Sequence, residues 1–271
     1  MTVKELFEDL ARATWQRLCD GYRLDIRQGE TGLTDLNLLE IRRAHLPCID
    51  VHKTGIREEK WKGTDWEWWV GSDITGWIRY AIQAKRLHLP NETYTSLNKR
   101  GEDQRRQLDK LVEYATLNEA VPLYCFFNYT EQPTLDQFWH CDLPLEPEQL
   151  GCTLTSASVV ENALSRRGRN FRWIHLDPET MPWRCIVSCP HFLQFYQLAA
   201  ATRGAQSHSD FPFGKLPTLH RRPPIRSSMS PRAQNIGRTL DRDFYKGDPQ
   251  SFPSYVATID ISGSFIGTTG R

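Results

Sequence analysis

The sequence predicts an α/β protein, a mixed β-sheet flanked by helices, and three observations carry that expectation. The stretch from Gly63 to Leu87, GTDWEWWVGSDITGWIRYAIQAKRL, reads as two strands joined by a short Gly-bearing turn. Between Glu102 and Leu117, Leu108, Leu111, Val112 and Ala115 fall at helical spacing with charges opposite, as in a surface helix covering a sheet. The run from Pro122 to Tyr129 is almost wholly apolar, which suits a strand buried on both faces. Strand, helix, strand in that order implies a crossover and some parallel pairing.

The other elements follow in chain order. Leu6, Leu10, Ala13, Trp15 and Leu18 predict an amphipathic helix over residues 3–19, with Gly21 as its stop. Thr34 or Asp35 is a candidate N-cap for a second helix carrying Leu36, Leu39 and Ile41 and running to His45. Pro47 to Lys53 reads as a short strand, so the first three strands can form a meander. Arg57 to Lys62 is a charged approach loop, and His88 to Lys99 is a loop containing Pro90. Past Thr130 the pattern weakens. Thr155 to Leu164 predicts a helix capped by Thr153 or Thr155, Phe171 to Leu176 a strand, Pro182 to Pro190 an extended segment, and Phe192 to Thr202 a helix. Beyond Gly204 the chain is rich in Pro, Ser and Arg, and 204–250 reads as loosely ordered. Ser254 to Gly267 regains some strand character.

Composition bounds the function. The chain has 271 residues, 39% hydrophobic and 25% charged, values of a globular protein with one large or two small domains. A net charge of +1 excludes a global basic bias, so nucleic-acid affinity would have to come from local patches. Three clusters are candidates: Lys99, Arg100, Arg105 and Arg106; Arg166, Arg167, Arg169 and Arg172; Arg221, Arg222 and Arg226. A solvated face is the plainer reading of any one of them. Seven cysteines in no regular framework, a charged amphipathic start and no apolar run of membrane-spanning length lead us to expect a reduced, cytoplasmic protein with free thiols.

The hairpin carries the chemistry. Residues two apart on a strand share a face, which pairs Asp65 with Glu67 and Gln83 with Lys85. If the strands pair, a carboxylate, an amide and an ammonium meet at one end of a hairpin lined by tryptophans. Charges in such surroundings cost several kcal/mol unless compensated. Phosphodiester hydrolysis gives them a purpose: Asp65 as the main ligand of Mg²⁺ or Mn²⁺, the Gln83 carbonyl as a neutral ligand, and Lys85 acting at the water or the developing charge. A further acid could come from Glu30, with Glu40 as second choice. The plain alternative is a surface hairpin in which Asp65 starts a strand and Lys85 snorkels at its end. Glu67, between tryptophans, reads as structural, with Arg79 on the next strand as its partner.

Glu30-Thr31, Thr34-Asp35, Gly63-Thr64-Asp65-Trp66-Glu67-Trp68-Trp69 and Gln83-Ala84-Lys85-Arg86-Leu87 resemble a family of uncharacterised bacterial proteins in which a GADWEWW-like stretch precedes a QAKRL-like one. Gly151-Cys152 and Pro182-Trp183 resemble further parts of that family. Together these residues also resemble the PD-(D/E)XK, or restriction-endonuclease-like, nuclease superfamily. The resemblance covers about residues 25–200; with the composition of the rest, the chain divides into a nuclease-like α/β core over 1–130, a helical and extended elaboration over 131–203 and a Pro/Ser/Arg-rich, partly flexible tail over 204–271. The resemblance implies metal binding by Asp65 and Gln83, with Glu30 as the acid of the first core helix and Lys85 at the water. It implies nucleic acid as partner, DNA favoured, in a genome-defence or mobile-element setting, and no membrane. It leaves room for a homodimer and for an activating protein or ligand. Gln83 stands where Asp or Glu is commoner, and Thr64 rather than Pro precedes Asp65. These departures carry the alternative of an inactive nuclease-like module that binds nucleic acid or protein.

A second metal candidate is Cys185-x₃-Cys189, followed by His191; elsewhere in the chain His140 and Cys141 are adjacent, with Cys152 eleven residues on. No second clean pair accompanies it, so buried small hydrophobes are the expected reading. Cysteine–histidine pairings are too numerous to single out a nucleophile, and no Gly-x-Ser-x-Gly or phosphate-cradling Gly-rich loop is present.

Overall fold

A computed structural model describes residues 1–53, 63–101, 103–201, 211–213, 217–223, 225–226, 239–240, 246 and 253–265. The charged approach at 57–62, Glu102 and most of the segment 204–250 lie outside the described residues. The strands are β1 (Ile49–Lys53), β2 (Trp66–Ser72), β3 (Gly76–Arg86), β4 (Val121–Phe127), β5 (Cys152–Ser156), β6 (Met181–Pro182), β7 (Ile225–Arg226), β8 (Thr239–Leu240) and β9 (Tyr255–Asp260). The helices are α1 (Val3–Arg23), α2 (Glu30–Arg43), α3 (Gln107–Leu117), α4 (Ala157–Ser165), α5 (Phe171–His175), α6 (Cys185–Ser188) and α7 (Pro190–Ala201). The architecture is α/β, with a seven-stranded mixed sheet in the order β1-β9-β2-β3-β4-β5-β6 and a separate β7-β8 pair.

Alternation along the strands divides the core into two layers. Trp66, Trp68, Val70, Ile78, Tyr80 and Ile82 face one side, where they pack with residues of α1, α2, α6 and α7. Trp69, Trp77, Ala81, Tyr124 and Phe126 face the other, with α3, α4 and α5. Every residue of β2 is buried, as helices on both faces require. The β2–β3 hairpin turns through three residues, and Gly76 supplies the left-handed conformation (φ +87°) that closes it. β3 and β4 run parallel, joined through α3, as the strand-helix-strand reading expects.

Several elements differ from expectation. The meander is interrupted: β9 lies between β1 and β2, antiparallel to the first and parallel to the second. Strand character expected near residue 254 thus becomes an inner strand, and the sheet also takes β5 and β6 from the 131–203 segment. Thr153 and Thr155, expected as caps, belong to β5, and Ser156 caps α4 instead, accepting from Val159 N. The strand expected at 171–176 is α5, because Phe171, Ile174 and His175 bury one helical stripe and Asn170 caps it. The extended segment expected at 182–190 divides into β6 and the single-turn α6. α2 begins at Glu30 rather than at Thr34. α1 passes Gly21 and ends at Arg23; it opens with a capping box between Thr2 and Glu5.

Candidate active site

Asp65 sits one residue before β2. Its N–H donates to Ile82 O (2.8 Å), and its carbonyl accepts from Ser254 N (3.0 Å), so β3 and the chain entering β9 hold it from both sides. Gly63 makes this approach fit. A Cβ there would lie 2.6 Å from Lys110 Cβ and 2.7 Å from Leu111 N, so the chain slides against α3 only without a side chain.

Gln83 and Lys85 project from β3 on the α3 side and are 3% and 1% exposed. The Gln83 amide donates to Asp65 Oδ2 at 2.6 Å, and Ala84 N donates to the same oxygen at 2.7 Å. Gln83 Oε1 is buried and has no hydrogen-bond partner among the described residues. Lys85 Nζ donates to Gln107 Oε1 at 2.9 Å and stands 3.6 Å from Glu30 Oε2. Glu30 occupies the first turn of α2, where the helix dipole favours a carboxylate, and Ser96 Oγ donates to its Oε1 at 2.5 Å.

The four residues singled out from the sequence, Glu30, Asp65, Gln83 and Lys85, therefore line one cavity of about 200 Å³. Glu40 lies further along α2 and is not among the lining residues. The cavity adds residues the sequence reading did not assign to the site: Thr31, Asp35, Lys99, Gln107 and Tyr255. A signal for Asp35 was present, since Glu30-Thr31 and Thr34-Asp35 repeat at four residues and so share one face of a helix that starts at Glu30. Tyr124 is Gln83's register partner on β4; its hydroxyl is buried without a partner among the described residues. Burial, with the Asp65 charge adding, pushes that phenol well above its usual range.

The polar lining is hard, with carboxylates of Asp65, Glu30 and Asp35 and one orphaned amide oxygen, but the three carboxylates do not all lie within 4.8 Å of one another. Such oxygen ligands suit Mg²⁺ or Mn²⁺ better than softer metals, and a buried carbonyl lacking a donor fits a cation. Glu67 plays a different part. It is fully buried and accepts from Arg79 Nε (2.7 Å), Tyr114 Oη (2.8 Å) and Trp69 Nε1 (3.3 Å), as its structural reading expects.

The basic clusters diverge. Arg105 pairs with Glu113, and Arg106 pairs with Asp109 (2.6 Å) and Glu161 (3.0 Å). Lys99 is exposed at the cavity. Arg166, Arg167, Arg169 and Arg172 are exposed, and Arg222 lies 3.7 Å from Asp73. Among the described residues no helix is long and apolar enough to cross a membrane.

Comparison with curated proteins finds no match, and comparison with solved structures finds none. A family model does match, over residues 3–258, from the start of α1 into β9. The chain therefore belongs to DUF6615, a family of unknown function.

Proposed function

We propose that the protein is a metal-dependent nuclease that hydrolyses phosphodiester bonds, with DNA as the favoured substrate. The observation that carries this reading is the orphaned carbonyl of Gln83, whose amide nitrogen holds the Asp65 carboxylate, in a cavity that also holds the buried Lys85 ammonium. Asp65, Gln83 and Glu30 would hold Mg²⁺ or Mn²⁺. The ion supplies charge neutralisation at the scissile phosphate and a more acidic bound water. Lys85 is aimed by Gln107 and Glu30, and its ammonium donates to the attacking water or to charge developing on phosphate. Lys99 and the exposed arginines neutralise flanking phosphates. The preference for DNA rests on the resemblance to restriction-endonuclease-like enzymes, as do the defence setting and a cytoplasmic location.

A second reading is an inactive nuclease-like module that binds nucleic acid or protein. One observation favours it: Asp65 Oδ2 already accepts from both Gln83 and Ala84, an arrangement that satisfies the carboxylate within the protein. Supercoiled plasmid and single-stranded RNA, each incubated with Mg²⁺ or Mn²⁺, separate the two. The nuclease reading expects nicking by the wild type and a loss of about 100-fold or more in Lys85→Ala and Asp65→Asn. Retained nucleic-acid binding with no cleavage in either metal selects the inactive module.

A further inference from the structure

Three cysteines that are far apart in the sequence meet away from the candidate active site. The Sγ atoms of Cys141, Cys185 and Cys189 all lie within 4.8 Å of one another. Cys185 and Cys189 are buried and Cys141 half-buried, and none forms a disulfide. Cys185 and Cys189 span the single turn of α6, and a spacing of four residues puts both on one side. Cys141 arrives from the loop after Phe138 and supplies what the Cys185-x₃-Cys189 pair lacked in the sequence.

The cluster has a further donor and a counter-charge. Asp142 Oδ2 accepts from Cys189 Sγ at 3.3 Å; it is not within 4.8 Å of all three sulfurs, so to ligate the same ion its side chain has to turn inward. Arg184 is 1% exposed, carries its charge beside Cys141, and is anchored by Glu8 (2.6 Å), Glu146 (3.2 Å) and Pro144 O (3.1 Å). A cation fixed there offsets the negative charge that a thiolate-rich centre gathers. A cavity of about 270 Å³ lined by Asp142, Cys189 and His191 reaches the cluster. Of the original candidate set, Cys152 falls away into β5, and His140, which also lines the cavity, has its Nε2 engaged with His175 O (3.0 Å).

We propose that Cys141, Cys185 and Cys189 bind a structural Zn²⁺ as thiolates, with the Asp142 carboxylate as fourth ligand. Tetrahedral zinc with Zn–S bonds of about 2.3 Å needs sulfurs roughly 3.8 Å apart, and the observed spread meets that with small side-chain adjustments. Three thiolates suit zinc rather than Mg²⁺ or Mn²⁺, so this centre is chemically distinct from the oxygen-lined cavity. Its effect is to pin the loop carrying Cys141, Pro144 and Glu146 to the α6–α7 junction. The inference does not depend on the nuclease reading.

The test is metal content of the full chain, purified under reducing conditions. Mass spectrometry of bound metals is expected to find one zinc per chain. The zinc is lost in Cys185→Ser and Cys189→Ser, and kept in Cys48→Ser and in Asp65→Asn. Replacing zinc by Co²⁺ in the wild type is expected to give a thiolate-to-cobalt charge-transfer band and the strong visible absorption of tetrahedral cobalt. That measurement stands even if the serine variants do not fold. Folded wild-type protein that holds no zinc and shows no thiolate–cobalt band on Co²⁺ addition overturns the proposal.

Discussion

Arg79 and Lys85 project from the same face of β3 and both are buried, yet their surroundings ask different things of them. Arg79 is saturated: Glu67 takes its Nε at 2.7 Å, and Tyr114 Oη and Asn118 O take its terminal nitrogens at 2.8 and 3.1 Å. Removing the Glu67 charge would leave a guanidinium stranded among aromatic rings. Glu67→Gln is therefore expected to lose roughly 3 kcal/mol, read from the urea unfolding midpoint at unchanged slope. Lys85 faces a cavity, with Gln107 at 2.9 Å and Glu30 at 3.6 Å. A buried ammonium so incompletely paired adds little to folding, and the proposed function would give a reason to keep it. Lys85→Met, of similar length and without charge, is expected to leave stability unchanged or raise it by about 1 kcal/mol. A loss in Lys85→Met as large as in Glu67→Gln would make Lys85 a structural cation and remove the main support for its catalytic part.

The hairpin is the element whose purpose was plainest in the sequence, because its signals are local. Tryptophans at alternating positions set the buried faces, and Asp65, Gln83 and Lys85 fall at ends the pleat brings together. Its glycine is equally local in effect. Gly63→Ala puts a methyl group against Lys110 and the backbone of α3, so the start of the strand must shift and carry Asp65 with it. We expect a cost of roughly 1–3 kcal/mol from that overpacking, together with loss of the proposed divalent-metal binding, measured by calorimetry. Unchanged metal affinity would mean that Asp65 is not held by this approach. Other elements were less legible, for physical reasons. Thr34 or Asp35 is the expected cap, yet packing of Leu33, Leu38 and Ile41 draws the helix back to Glu30 and thereby aims that carboxylate at Lys85. Phe171 to Leu176 has strand propensity, but a helical stripe of Phe171, Ile174 and His175 decides in favour of α5. The thiol cluster needed Cys141, forty-four residues from Cys185, and no spacing rule reaches that far.

At the scale of the whole molecule, the candidate site depends on where β9 inserts. Its strand character could be read from residues 254–267, but pairing partners nearly two hundred residues away could not. A period of two reports faces and says nothing of sheet order. In the structure β9 bonds β1 on one side and β2 on the other, Ser254 N holds the Asp65 carbonyl, and Tyr255 lines the cavity. Thr258 is the critical test position. It is buried, opposite Asp50 on β1 and Trp69 on β2. An inner strand has no open edge on which a proline can be tolerated, because each N–H faces one neighbour or the other. Thr258→Pro is thus expected to cost roughly 3 kcal/mol or more, to weaken the sheet on both sides of β9, and to lower the proposed divalent-metal binding along with stability. Circular dichroism with urea titration reads the first effect, and calorimetry on whatever fraction stays folded reads the last. A Thr258→Pro protein that unfolds at the parent midpoint would place residues 255–260 at an edge and detach the tail from the site. Coupled losses would make β9 the clasp between fold and chemistry: the sheet cannot close around Asp65 until residues 255–260 have been added to it.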